Sequence, residues 1–264
     1  MPEPAFASAG PFCALTQARD TITMIDRGIR LSRRNIEAMF TALMLPVALM
    51  LMFVYLFGGA LSVGTAYVDY VVPGVIALCA GFGSATTAVS ISQDMKSGIV
   101  DRFRSMDIGA VAMIAGHVAA SVLRNLASTV LIFVVAIAIG FRPHASVLGW
   151  LVVFGLLAAF MVAISWIAAA TGLLASSPEA ANGFSFFVMF LPYASSAFVP
   201  IGTMPSWLRG FAGHQPCTPL IESVRALLAG HGAGSHTVTA LGWCAVILVV
   251  AMALSALAFR RKTR

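Results

Sequence analysis

A run of about 20 apolar residues is the right length for one helix to cross a bilayer. The helix rises 1.5 Å per residue, and the hydrocarbon core is about 30 Å thick. This chain carries six such runs, at about 39–57, 70–92, 108–141, 147–174, 181–200 and 237–259. In lipid every backbone amide must find its partner within the segment, so runs of this kind fold as helices. The mean hydropathy of +0.93 and 59% hydrophobic residues lie well above the roughly 45–50% apolar content of a soluble domain. The expected fold is an all-α polytopic membrane protein with six transmembrane helices at 39–259, a cytoplasmic tail at 1–38 and a basic tail at 260–264.

Charge supplies the orientation. The net charge is +6, and the cations cluster at the ends of apolar runs rather than in a nucleic-acid-binding motif. With six spans and both termini inside, twelve Lys and Arg fall on the cytoplasmic side. They are Arg19, Arg27, Arg30, Arg33, Arg34, Lys96, Arg102, Arg104, Arg260, Arg261, Lys262 and Arg264. Only Arg142, Arg209 and Arg225 fall outside, while Arg124 lies at the edge of the third span. The positive-inside rule therefore places both termini in the cytoplasm. No compact apolar core precedes residue 38, so a cleavable signal is not expected.

One polar stretch precedes the first span and two more lie between later spans. From Arg19 to Glu37, isoleucines alternate with Arg27, Arg30, Arg33 and Arg34, a pattern suited to an amphipathic helix lying in the inner interface or to a solvated basic tail. From Gln93 to His117 the chain reads QDMKSGIVDRFRSMDIGAVAMIAGH. Ile99, Phe103 and Met106 recur at i, i+4 and i+7, which puts them on one face of a helix outside the hydrocarbon; an ordinary basic loop is the alternative. The third span opens with His117, Ser121 and Arg124 on one face, a polar stripe that either packs against protein and headgroups or lines a transport site. The last interruption, 201–236, holds a segment of about ten residues, LIESVRALLAG. It is too short to span and is expected to be re-entrant or to lie on the surface. Its apolar face is Leu220, Ile221, Val224, Leu227 and Leu228, with Glu222 and Arg225 placed to pair at i, i+3, and Trp207 is expected at headgroup level. Cys217 lies in this loop and is expected to be open to an external thiol reagent.

Several chemistries lack their residues. No Asp or Glu falls in the middle of a proposed span, whereas ion-coupled carriers usually place one there. The sequence contains no GxxxxGK[ST] loop, no HExxH and no GxSxG, so neither that route to ATP nor those hydrolytic sites are present. Cys13, Cys79, Cys217 and Cys244 are far apart and form no CxxC, so neither a disulfide framework nor a metal site is expected. What remains is a conduit without its own energy source, for which Gln93–Met106 offers a cytoplasmic handle. Small residues at Gly81, Gly83, Ser84 and Ala85 would allow close helix packing. Met44, Phe53, Ser84, Thr87, Phe187 and Met189 are candidates to line a pathway for varied apolar ligands, or to be bundle packing.

Taken in order, a set of short motifs resembles the membrane subunit of type-2 ATP-binding-cassette (ABC) exporters, especially the daunorubicin/doxorubicin-resistance branch. These are Phe57-Gly58-Gly59-Ala60-Leu61, Asp69-Tyr70-Val71-Val72-Pro73-Gly74, Asp94 with Gly98-Ile99-Val100-Asp101-Arg102-Phe103-Arg104-Ser105, and Ala115-Gly116-His117. Further on come Gly140-Phe141-Arg142-Pro143, Ser177-Pro178-Glu179-Ala180-Ala181, Ser195-Ser196-Ala197-Phe198-Val199-Pro200, Met204-Pro205-Ser206-Trp207-Leu208 and Gln215-Pro216-Cys217-Thr218-Pro219. Met106-Asp107 departs from a frequent Leu-Pro in the family, and Cys217 from a frequent Val.

The resemblance implies a permease that binds no cofactor itself and faces a second permease, identical or homologous. Two cytoplasmic ATPase subunits would bind the ATP and Mg. It further implies a coupling helix at 97–106, carrying Gly98, Ile99, Asp101, Arg102, Phe103, Arg104 and Met106. Extracellular re-entrant helices would include Pro205, Trp207, Pro216, Pro219 and Glu222. The implied setting is a bacterial plasma membrane and the implied cargo a lipophilic drug, lipid or glycolipid moved outward. The competing readings are an ion-coupled secondary transporter, which would need an intramembrane charge, and a membrane assembly protein without transport activity.

Overall fold

A computed structural model describes residues 21–26, 36–59, 66–97 and 110–262, and among them the regular structure is entirely helical. A short helical stretch at 21–26 precedes α1 (Ile36–Met52), which passes into a π turn at Phe53–Phe57. The following helices are α2 (Tyr67–Lys96), α3 (Ala110–Ala138), α4 (Val147–Leu174) and α5 (Pro178–Phe190). Then come α6 (Ser206–His214), α7 (Cys217–Leu228) and α8 (Ser235–Lys262). Four stretches of the described residues are long and apolar enough to cross a membrane: Tyr67–Lys96, Ala112–Ala138, Val147–Leu174 and Ser235–Phe259. A shorter apolar stretch runs over Met44–Phe57.

The boundaries follow local chemistry. Ser146 caps α4 by accepting from the Gly149 amide, and Ser177 caps α5 by accepting from Ala180, with Pro178 in the first turn, where no donor is needed. At the end of α3, Gly140 takes a left-handed φ of 111°. The Phe141 amide donates back to the Ala136 carbonyl at 2.9 Å, a closing bond that needs such a residue.

Two boundaries correct the sequence expectation. The fifth apolar run is not one continuous helix over 181–200. α5 stops at Phe190, and the chain continues through a 3-10 turn, Pro192–Ala194. Pro192 brings no amide donor, so one bond of the α-helical ladder is lost at this point. α2 in turn runs on through Gln93–Lys96 instead of ending near residue 92. The first four residues of the polar stretch that follows the second apolar run therefore belong to α2.

α2 is the central helix. Its most apolar window is 67% buried, against 22% for α8. It packs against α1, α3, α4, α5 and α7. Val71, Val72, Val75, Ile76 and Leu78 are sealed in the main core with Leu156, Leu157, Phe160 and Met161 of α4. Elsewhere the apolar surface points outward: Val130, Val134 and Ile137 on α3, Leu148 and Leu151 on α4, Val246, Val249, Leu254 and Leu257 on α8. An apolar exterior around an apolar interior is stable only where the surroundings are hydrocarbon.

Candidate functional site

Two ends of the bundle carry the polar residues that sequence singled out. At the end where α2 begins, α6 and α7 form a cap. Pro205 precedes α6 and Pro216 precedes α7, each fixing the φ of the residue before a helix. Pro219 is buried in the first turn of α7, whereas Trp207 on α6 is 78% exposed. Leu220, Ile221, Val224, Leu227 and Leu228 are all buried in the main core. The apolar face read from sequence is therefore the face that packs. The Glu222 carboxylate accepts from Arg225 Nη1 at 2.8 Å, as the spacing predicts.

Arg225 does more than pair locally. Nη2 donates to the Ser196 carbonyl at 2.9 Å and to the Tyr70 carbonyl at 3.0 Å, and its guanidinium lies 3.7 Å from the centre of the Tyr70 ring. One planar group thus ties α7 to the first turn of α2 and to the Ser195–Val199 turn. The Tyr67 hydroxyl adds a bond to the Phe198 carbonyl at 3.1 Å, and Gln215 Nε2 one to the Ala194 carbonyl at 2.6 Å. Gly74 permits the approach: a Cβ there would stand 2.6 Å from the Ala197 Cβ and 2.7 Å from its Cα and carbonyl oxygen. Sequence periodicity could find the Glu222 pair, but it carried no signal for the contacts with Tyr70 and Ser196, which are far apart in the chain.

Cys217 overturns its expectation. The first residue of α7 is 1% exposed and belongs to the main core. Burial, with Cys244 nearby, pushes its thiol up to about 12, so almost none is thiolate at neutral pH. A loop position in sequence turned out to be the start of a packed helix. Beside the cap, α6, α7 and α8 enclose a cleft of about 520 Å³ lined in part by His214, Thr218, Glu222, His236 and Trp243.

At the opposite end, α2 and α3 are joined through the stretch that carries Gly98, Ile99, Asp101, Arg102, Phe103, Arg104 and Met106, and these residues lie outside the described ones. The same holds for Arg27, Arg30, Arg33 and Arg34. The flanks of the first stretch are described. Asp94 Oδ2 in the last turns of α2 meets His117 Nε2 in α3 at 3.0 Å, with side chains 15% and 16% exposed. The helical stretch at 21–26 rests on the preceding residue of α3, because a Cβ on Gly116 would stand 2.6 Å from the Met24 Cβ. The polar stripe of the third segment therefore packs on protein: His117 on Asp94, Ser121 on Ser165 at 3.0 Å, and Arg124 Nη2 on the Thr86 hydroxyl at 3.3 Å.

The pathway candidates are scattered between these ends. Met44 is exposed on α1, and Phe53 stacks on Phe198 at 4.2 Å beneath the cap. Ser84 and Thr87 are buried on α2; the Ser84 hydroxyl donates to the Gly81 carbonyl at 2.8 Å, while the Thr87 hydroxyl has no hydrogen-bond partner. Phe187 and Met189 fall within α5, but their side chains lie outside the described ones.

Comparison with known proteins bears on the whole arrangement. The family model described as ABC-2 type transporter matches residues 19–229. The chain is 30% identical over 217 residues to the daunorubicin resistance ABC transporter permease protein DrrB1 of Streptomyces coeruleorubidus, covering 81% of this chain and 77% of that one. It is 22% identical over 244 residues to the probable doxorubicin resistance ABC transporter permease protein DrrC of Mycobacterium tuberculosis, covering 91% of this chain and 88% of that one.

Proposed function

Since the chain belongs to the ABC-2 type transporter family and is the membrane permease subunit of an ABC exporter, we propose that it moves a lipophilic drug, lipid or glycolipid outward across a bacterial plasma membrane. Energy comes from a separate cytoplasmic ATPase, present in two copies, which binds the ATP and Mg. A second permease, identical or homologous, completes the pathway. In this proposal six segments cross the bilayer, α1 and α5 included, and both termini are cytoplasmic. The cap of α6 and α7 then faces the exterior, and Arg27, Arg30, Arg33 and Arg34 sit among inner headgroups.

The observation that carries the proposal is the family match over residues 19–229. The described structure supports a specific energy input. Asp94 and His117 hold the ends of α2 and α3 together, and the residues between them carry the Ile99, Phe103 and Met106 face with Asp101, Arg102 and Arg104 around it. Such a face fits an apolar groove on the ATPase with a polar rim. Met44, Phe53, Ser84, Thr87, Phe187 and Met189 remain the candidates for the cargo path.

The test is co-purification with the ATPase, followed by export from proteoliposomes. Phe103→Ala, at a docked anchor, should weaken association by about 2 kcal/mol, and Arg102→Glu should weaken it further by placing a like charge against an acidic rim. Both should lower export and ATP hydrolysis together, while Thr65→Ala on the opposite side leaves both unchanged. A Phe103→Ala/Arg102→Glu double variant with full ATPase binding and full export would refute the coupling role. Absence of any associated ATPase would refute the exporter mechanism itself.

A further inference from the structure

We propose that the cleft between α6, α7 and α8 binds the neutral, hydroxyl-bearing head of an amphiphile, such as a sugar ring. The apolar tail of the same molecule lies along α8. At about 520 Å³ the cleft has the size of a small-ligand site. Its wall on α8 includes His236, Thr239 and Trp243, and its wall on the cap includes His214 and Glu222.

The lining is rich in acceptors and balanced in charge. The Glu222 carboxylate is matched by Arg225 Nη1 at 2.8 Å. The rest of that guanidinium donates to the Tyr70 and Ser196 carbonyls. Among the described residues no lysine or arginine lines the cleft. A phosphate would therefore meet acceptors instead of donors, and a cation would meet a carboxylate already paired. His214 Nδ1 donates to the Gly210 carbonyl at 2.8 Å, which leaves Nε2 of the neutral ring to accept. The Thr239 hydroxyl donates to the Ser235 carbonyl at 3.0 Å, and its oxygen still accepts. Hydroxyl groups are uncharged donors that suit such a set. Trp243, 37% exposed, adds an apolar ring face on which the C–H side of a sugar can lie.

The tail is read from the same helix. His236, Thr239, Trp243, Ile247, Val250 and Leu254 follow one another at steps of three or four, so they form one stripe of α8. The stripe turns from polar to apolar along its length, and Val250 and Leu254 are exposed. Phe259 is the last residue before Arg260, Arg261 and Lys262, and Thr239 lies 20 residues before it. That separation is about 30 Å, the thickness of the hydrocarbon core. His236 therefore stands at headgroup level and Trp243 just inside the boundary, where tryptophan is favoured. From Trp243 to Leu254 is 11 residues, or about 16 Å, which is one leaflet. A head in the cleft thus leaves its chain against the apolar part of the stripe. The assignment of this leaflet to the exterior rests on the orientation proposed above.

The test is photolabelling of the full complex in phosphatidylcholine nanodiscs, first without ATP. Probes sharing one diazirine-bearing decyl chain are compared: a glucoside, a phosphate and a trimethylammonium. The glucoside should label the peptide that carries Val250 and Leu254, and the charged probes should not exceed the level of bulk lipid. Trp243→Leu keeps an apolar surface but removes the ring, and should lower glucoside labelling by about tenfold. Thr239→Val should lower it by a smaller factor. Val238→Ala, on another side of α8, should change nothing. All three side chains are exposed, so these variants keep the fold. Equal labelling by the probes, or preference for a charged one, overturns the proposal. So does glucoside labelling that Trp243→Leu and Thr239→Val both leave unchanged. Adding ATP then separates the two sources of such a head: labelling by an exported cargo falls, whereas a resident amphiphile keeps its place. As cargo the ligand rests on the exporter reading. The labelling itself is read without ATP, so it stands or fails independently of that reading.

Discussion

Arg225→Ala should release the cap while leaving the bundle folded. The side chain donates to two carbonyls, at 2.9 Å to Ser196 and 3.0 Å to Tyr70. A hydrogen bond from a charged donor contributes about 1.5–3 kcal/mol, so the two together contribute about 3–6. The Glu222 contact adds little, because that carboxylate is 32% exposed and water screens it. The Tyr70 ring adds roughly 0.5–1 kcal/mol. At about 1.4 kcal/mol per tenfold, even the lower bound raises the open fraction of α7 by about a hundredfold. Cys217 is the reporter, since it lies at the start of α7 and is 1% exposed. In a Cys13→Ser background, its labelling by a water-soluble maleimide should accelerate by about that factor in Arg225→Ala. Arg225→Lys, a point charge that can reach one carbonyl at a time, should fall between. Melting of the core in detergent should shift far less than the labelling rate. An unchanged labelling rate in Arg225→Ala would show that core burial of Leu220, Ile221 and Val224 holds α7 without the arginine.

In the wild-type protein, Cys217 should resist an impermeant thiol reagent until the protein is unfolded, and quantitative labelling of folded protein would remove α7 from the core. Gly74→Ala should cost about 1–3 kcal/mol by overpacking against Ala197, read as earlier thermal unfolding. Gly155→Ala, where nothing lies within 4 Å of the new Cβ, should be neutral or slightly stabilising, and equal effects would refute the close approach. His117→Ala should lower stability by about 1–2 kcal/mol through loss of its bond to Asp94. The exchange Asp94→His/His117→Asp should restore it, and failure of the exchange to rescue would show that the pair is not a clasp.

The sequence by itself determined what depends on local length and pattern. Run length and hydropathy specified helices at 147–174 and over most of 70–92, 108–141 and 237–259, because lipid leaves a backbone no other way to satisfy its amides. The period of Leu220, Ile221, Val224, Leu227 and Leu228 specified the buried face of α7, and i, i+3 spacing the Glu222–Arg225 pair, since both are properties of one helix. What joins distant segments was decided only by the tertiary structure. Uniformly apolar α4 carries no sign of which face meets α2, for in a chain apolar inside and out the difference lies in shape rather than polarity. The fit of Gly74 against Ala197, of Gly83 under Asn125 and of Arg225 against Tyr70 and Ser196 needs two surfaces at once. Cys217 shows the limit most clearly. Its neighbours Pro216 and Thr218 read as an open loop, yet the apolar face one turn further along drew the whole start of α7 into the core and took the thiol with it.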